Sequence, residues 1–164
     1  MSRLSSRAWF FAGFLACSGL ILIALYLQYY AHLEPCPLCM LQRVAFITVG
    51  VIFLLGALHG PKQTGTRVYA FFGLLATFTG LGLAARHVYL QYYPPEYVSC
   101  AGDFYSQLER IPLGRLISNA LRATGDCSKV DWTLLHLSVA EWSLVWFTIL
   151  AVLGLYLLIR RTSR

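Results

Sequence analysis

Two cysteines separated by two residues, Cys36 and Cys39, stand inside the stretch EPCPLCMLQR, residues 34–43. That spacing suits reversible thiol–disulfide chemistry, or one half of a zinc site. Pro37 fits the first turn of a helix, where its missing N–H is not needed. Cys36 then falls near the N-cap and Cys39 in the first turn, where backbone N–H groups and the positive helix end favour a thiolate. Arg43, four residues after Cys39, shares its helix face and brings a permanent positive charge into apolar surroundings. The plainer role for Arg43 is an interfacial anchor whose head reaches lipid head groups. The stretch therefore reads as a thiolate site at membrane depth, within reach of a molecule dissolved in the bilayer.

The elements that must carry this site are apolar runs. The chain has 164 residues, 58% hydrophobic and only 12% charged, which does not suit a soluble domain. Four runs stand out, at about residues 8–30, 40–58, 68–85 and 143–159. Each approaches the roughly 20 residues that cross a hydrocarbon core. They are apolar all round rather than on one face. The expectation is an all-α membrane protein, a bundle of four transmembrane helices forming a single integral membrane domain over residues 1–164. The first run is too long for a secretory signal, and the sequence LQYYAHLEP after it offers no small-residue cleavage site.

Charge orients the bundle. One side collects Arg3, Arg7, Lys62, Arg67, Arg160, Arg161 and Arg164 with no acid, while the other holds all the Asp and Glu residues. The positive-inside rule puts both termini in the cytoplasm, with outer loops at about residues 31–39 and 86–142. The net charge of +6 is then topological and speaks against nucleic-acid binding. The bilayer is the expected environment.

Of the five cysteines, Cys17 lies in mid-span and reads as a packing residue, while Cys36, Cys39, Cys100 and Cys127 face outward, where disulfides persist. Four cysteines allow three pairings. Two static bridges, a four-thiolate zinc site and a redox relay all remain open on spacing alone. The short Cys36–Cys39 loop favours the relay, because a bridge that small removes little chain entropy. Zinc sites more often use two close pairs, and Cys100 and Cys127 are far apart in sequence. In the segment PLGRLISNALRATG, residues 112–125, apolar residues recur at helical spacing between Pro112 and Gly125. This predicts a short amphipathic helix lying in the outer interface. The preceding YPPEYVSC, residues 93–100, reads as extended and accessible to a partner's peptide groove.

EPCPLCMLQR, the four-run layout, YPPEYVSC and TGDCSKVDW together resemble the DsbB family of bacterial disulfide-bond oxidases, over nearly the whole chain. The resemblance implies an inner-membrane thiol:quinone oxidoreductase with its cysteine loops in the periplasm. It implies that Cys100 and Cys127 meet the dithiol oxidase DsbA, that Cys127 attacks Cys36, and that Cys39 passes electrons to ubiquinone or menaquinone. His87 resembles a residue near the quinone head group, and Gln91 lies four residues on, so Arg43, His87, Gln91 and Cys39 become the expected quinone contacts. The plainer reading of His87 is an interfacial histidine with water or backbone partners. Gln42 reads as polar lining near a helix end. No metal is assigned.

The alternatives are a specialised paralogue serving a dedicated thiol partner, or a non-enzymatic membrane protein with static disulfides or zinc. Reductases of the vitamin K epoxide type place their shuttle pair before the Cys-x-x-Cys; here it follows.

Overall fold

The computed structural model describes residues 6–30, 32, 35–94, 133–134 and 136–160. Cys100, Cys127 and the expected amphipathic helix at 112–125 lie outside the described residues. Four long helices dominate: α1 (Ser6–Tyr29), α2 (Pro37–His59), α3 (Gln63–Tyr92) and α4 (Val139–Ile159). All four are long and apolar enough to cross a membrane. Two short strands, β1 (Thr133–Leu134) and β2 (Leu137–Ser138), pair antiparallel just before α4. The architecture is the expected all-α bundle with this one minimal pairing.

Each helix packs chiefly on the next in sequence, and α1 also touches α4. The closure rests on small residues facing aromatic rings. Along α3 the buried positions Thr66, Ala70, Gly73, Thr77, Gly80, Ala84 and His87 alternate steps of four and three residues, which keeps them on one seam. Phe53 fills the space over Gly73 and Phe147 that over Gly80: an added Cβ would meet their rings at 2.7 Å and 2.3 Å. Phe46 of α2 and Phe147 of α4 stack with ring centroids 3.9 Å apart. Such close approach of small residues and rings is how helices associate where lipid removes the hydrophobic drive between them. The outward faces stay apolar, with Leu22, Ile23, Leu58, Phe78, Val152 and Ile159 each more than half exposed. An apolar coat of that extent belongs in lipid rather than water.

The helix ends differ from the apolar runs in ways that matter. Helix α3 continues beyond Ala85 to Tyr92, so His87 and Gln91 sit on a helix rather than at the start of an outer loop. Its 30 residues rise about 45 Å, well over the roughly 30 Å of hydrocarbon, so hydropathy alone misses its polar last turns. Helix α2 starts at Pro37 rather than near residue 40, which takes Cys39 out of the short loop. Its other end closes at Gly60, whose φ of 55° favours glycine and whose N–H donates to Gly56 O at 3.2 Å. The Arg7 guanidinium lies against the same glycine and donates to Leu58 O at 3.2 Å, tying the start of α1 to the end of α2.

Helix α4 begins with a full capping box. Ser138 Oγ accepts from Glu141 N at 3.2 Å, and Glu141 Oε2 accepts from Ser138 N at 2.7 Å. Before it, His136 turns the chain with φ 65°. The up-and-down order gathers the end of α1, the start of α2, the end of α3 and the start of α4 at one end of the bundle. Every described residue with redox-relevant chemistry except Cys17 is there.

Candidate functional site

The site starts from the cap of α2. Cys36 is the N-cap, in extended conformation, with Pro37 beginning the helix behind it. The Cys39 N–H donates to Cys36 Sγ at 3.3 Å, so the sulfur takes the capping place usually held by a serine or aspartate oxygen. Cys36 Sγ and Cys39 Sγ stand 2.9 Å apart, the Cys36 thiol donating to Cys39. Both sulfurs thus lie over the positive end of a helix, a setting that favours thiolate. Around them Leu38 and Leu90 are buried, with Leu41 and Leu83 packed alongside. Cys36 is itself buried, whereas Cys39 is half-buried and is the sulfur nearer the outside. An apolar wall around the sulfurs limits water and strengthens the local field.

His87 completes the cluster. It is 3% exposed and occupies the polar end of the small-residue seam of α3. Its Nε2 faces Cys36 Sγ at 3.7 Å, and its Nδ1 faces Gln42 Nε2 at 3.2 Å. Gln42 is likewise 3% exposed, held on the buried seam of α2 with Ala45, Phe46 and Val49. With the Gln42 amide N–H donating to Nδ1, the imidazole proton sits on Nε2 and points at the Cys36 sulfur. A half-turn of the amide presents its oxygen to an Nδ1–H instead, and Nε2 then offers a lone pair to the sulfurs. The ligating atoms of Cys36, Cys39 and His87 all lie within 4.8 Å of one another.

The other expected site residues are placed differently. Arg43 reaches across to α1: Nη1 donates to Gln28 Oε1, and Nη2 donates to Ala24 O at 3.1 Å. Nη1 also lies 3.8 Å from Met40 Sδ. These acceptors, the ones found among the described residues, are neutral and do not pair the guanidinium with an acid beside the first turn of α2. Gln91 turns to α4, where its Oε1 accepts from Ser138 Oγ at 2.8 Å. One residue on, Tyr92 Oη donates to Glu141 Oε1 at 2.8 Å. Gln91 and Tyr92 therefore fasten the α3 end to the α4 cap, one turn beyond His87. Cys17 is 2% exposed in the central core, its Cβ 3.2 Å from where a Cβ on Gly50 would stand, which fits a packing residue.

Gln42, Gln28 and Ser138 are the participants that the sequence undervalued. A glutamine inside an otherwise apolar seam is the one signal that singles out Gln42, because a buried amide needs a partner. Nothing in the sequence pairs Gln28 with Arg43.

This cap-mounted dithiol, in a bundle coated for lipid, can be set beside known proteins. The family model for Disulfide bond formation protein DsbB matches residues 6–157. The chain belongs to the DsbB family. It is 46% identical over 165 residues to Disulfide bond formation protein B of Xanthomonas axonopodis pv. citri, covering 98% of this chain and 96% of that one. It is 43% identical over 157 residues to the protein of the same name from Aromatoleum aromaticum, covering 96% and 95%. The corresponding protein of Azoarcus sp. is 46% identical over 158 residues, covering 96% and 95%. Membership makes this chain a multi-pass membrane oxidoreductase of disulfide bond formation.

Proposed function

We propose that the chain reoxidises a periplasmic dithiol oxidase of the DsbA type and delivers two electrons to a membrane quinone through two cysteine pairs. The observation that carries this reading is the pair of sulfurs 2.9 Å apart on the cap of α2, with His87 behind one of them. A static bridge would need neither the helix end nor a buried histidine. DsbA is itself a strong thiol oxidant, so its reoxidation calls for an acceptor of high potential rather than a soluble thiol pool.

In the proposed sequence, a DsbA thiolate attacks Cys100 of a Cys100–Cys127 disulfide, forming a mixed disulfide and releasing Cys127. The second DsbA thiol then displaces Cys100, leaving DsbA oxidised and the pair reduced. Cys127 attacks Cys36 of a Cys36–Cys39 disulfide, and the electron pair of the broken S–S bond leaves on Cys39. The positive end of α2 favours that departing thiolate, while the Cys39 N–H stays on Cys36 Sγ. When Cys100 later reforms its bridge with Cys127, Cys36 becomes the leaving sulfur, and the Nε2–H of His87 stands ready to support it or return a proton.

The quinone, ubiquinone or menaquinone, is the substrate that takes up two electrons and two protons. The residues present suit it: apolar Leu41 and Leu83 for a ring, the half-buried Cys39 as electron donor, and Arg43 for an oxygen. A guanidinium has five N–H donors, and the contacts to Gln28 and Ala24 leave others available. Gln91 acts on this site through the α3–α4 junction that holds His87 in place.

The experiment that tests the function is turnover of quinone by the purified protein with reduced DsbA. Failure to oxidise DsbA in the presence of quinone would refute the proposal. The partner-facing sulfur has its own check. DsbA lacking its resolving cysteine should be trapped as a covalent complex through Cys100, and a complex that forms equally well with Cys100→Ala would reassign the entry point.

The bundle is proposed to lie in the bacterial inner membrane with both termini cytoplasmic. After reduction, impermeant thiol reagents should label Cys100 from the outer side of intact spheroplasts. Labelling of Cys100 from the cytoplasmic side of inverted vesicles would overturn the orientation.

A further inference from the structure

We propose that, in the reduced state, Cys36, Cys39 and His87 form a binding site for one thiophilic divalent cation of the zinc class, and that the bound ion arrests the relay. The inference rests on the proposed electron path only for its consequence. The binding itself depends on the three side chains alone.

The donor set is the first argument. Two thiolates and one imidazole are a recurrent zinc combination, and the ligating atoms here converge within 4.8 Å. Distances refine it. With Zn–S near 2.3 Å and Zn–N near 2.05 Å, the tetrahedral edges are roughly 3.8 Å between sulfurs and roughly 3.6 Å between sulfur and nitrogen. Cys36 Sγ and His87 Nε2 already stand 3.7 Å apart. The sulfurs, at 2.9 Å, must open by a little under 1 Å. Cys39 is the half-buried member of the pair, so its side chain is the one to turn, and that turn must also set its sulfur, already within 4.8 Å of the imidazole, at the third edge.

The surroundings are the second argument. The Cys39 N–H already donates to Cys36 Sγ, the kind of amide contact that supports a metal-bound thiolate. Gln42 holds the far side of the imidazole, and a half-turn of its amide accepts the Nδ1 proton and frees Nε2 for the ion. Charge closes as well. Two thiols release two protons, and the two thiolates neutralise a divalent ion, so the ligated site is neutral in its apolar wall. Three protein ligands leave the fourth position of a tetrahedron for a water or an added ligand. No electrons move in this step. Oxidation of Cys36 and Cys39 to a disulfide removes both thiolates, so the site exists only in the reduced protein.

The arrest follows directly. The ion draws on the thiolate lone pairs, so a sulfur holding it is a much poorer nucleophile toward disulfides and a poorer electron donor than the free thiolate. Chelation of the ion should restore it.

The test uses the full chain purified in detergent, carrying Cys100→Ser and Cys127→Ser so that only Cys36 and Cys39 remain as a close thiol pair. The reduced protein is titrated with Cd2+, read by the ultraviolet sulfur-to-metal charge-transfer band, and Zn2+ is then added as competitor. One Cd2+ per chain is expected, displaced by Zn2+, with about two protons released per ion in weakly buffered solution near neutral pH. Protein with Cys36 and Cys39 joined should show no band. Gln42→Ala should weaken affinity roughly 10- to 100-fold as loss of an outer-shell partner, and His87→Ala by more. Absence of the band in the reduced protein, or an equal band in the oxidised protein, would overturn the site. Unchanged affinity in His87→Ala would remove His87 as a ligand and with it the proposal. Because the titration contains no quinone and no DsbA, a metal site that forms in a protein unable to reduce quinone would sink the proposed function alone.

Discussion

Cys39→Ser is expected to stop quinone-dependent turnover, by at least about a thousand-fold, while leaving one round of partner oxidation intact. A hydroxyl is neither acidic enough to act as a thiolate nor able to form a disulfide, so the path from Cys36 onward has no exit. The Cys100–Cys127 pair is chemically untouched, and the purified variant should still oxidise about one equivalent of reduced DsbA before halting. The geometry sharpens the contrast with Cys36→Ser. A serine at the cap keeps a capping oxygen for the Cys39 N–H, so α2 should stay folded in both variants. Rapid mixing with reduced DsbA, following partner thiols and quinone absorbance together, gives burst and steady state in one trace. Continued multiple turnover by Cys39→Ser would show that another sulfur delivers the electrons. Absence of the burst would place Cys39 in the first exchange instead.

The second large effect belongs to Arg43. Arg43→Ala should lower quinone-dependent turnover roughly ten-fold or more, equivalent to about 1.4 kcal/mol of lost transition-state stabilisation. The guanidinium is held in place by Gln28 and the Ala24 carbonyl of α1, so its position beside the first turn of α2 is fixed rather than snorkelling. In the proposed function it supplies charge near the Cys39 thiolate and N–H donors toward a quinone oxygen, two jobs that lysine would perform only in part. The exchange between DsbA and Cys100–Cys127 should be little affected.

Since Arg43 also ties α1 to α2, Gln28→Ala is the companion variant: it removes a tether while leaving the charge, and should slow quinone reduction less. Stopped-flow measurement of the two steps separates these roles. Equal slowing of both steps in Arg43→Ala, or unchanged quinone reduction, would reduce Arg43 to a tether between helices.

The four helices were legible because lipid-facing runs leave no ambiguity of period: a segment apolar on all sides has few other uses. Pro37 made the start of α2 legible to within a turn, since a proline suits the first turn and brings Cys36 near the cap, although the apolar run itself begins only near residue 40. The far end of α3 was not legible from hydropathy. Arg86, His87 and Gln91 interrupt the apolar run, yet the helix continues because its backbone bonds are local and its polar side chains find partners on α2 and α4.

What the sequence determined by itself was the reactive pair and its depth: a Cys-x-x-Cys on a helix start, at one edge of a lipid-spanning bundle. Composition and spacing are local properties, and they suffice for that. What only the tertiary structure decided was who meets whom. Cys36 and His87 are 51 residues apart and Gln42 and His87 are 45 apart, and no periodicity within one helix can pair them. They meet because small residues on α3 let aromatic rings of α2 and α4 close the seam, which fixes the rotation of each helix. That same rotation sends Arg43 toward α1 and Gln91 toward the cap of α4. The helix rotation set by Gly73 against Phe53 and Gly80 against Phe147 therefore decides which polar side chains stand behind the sulfurs.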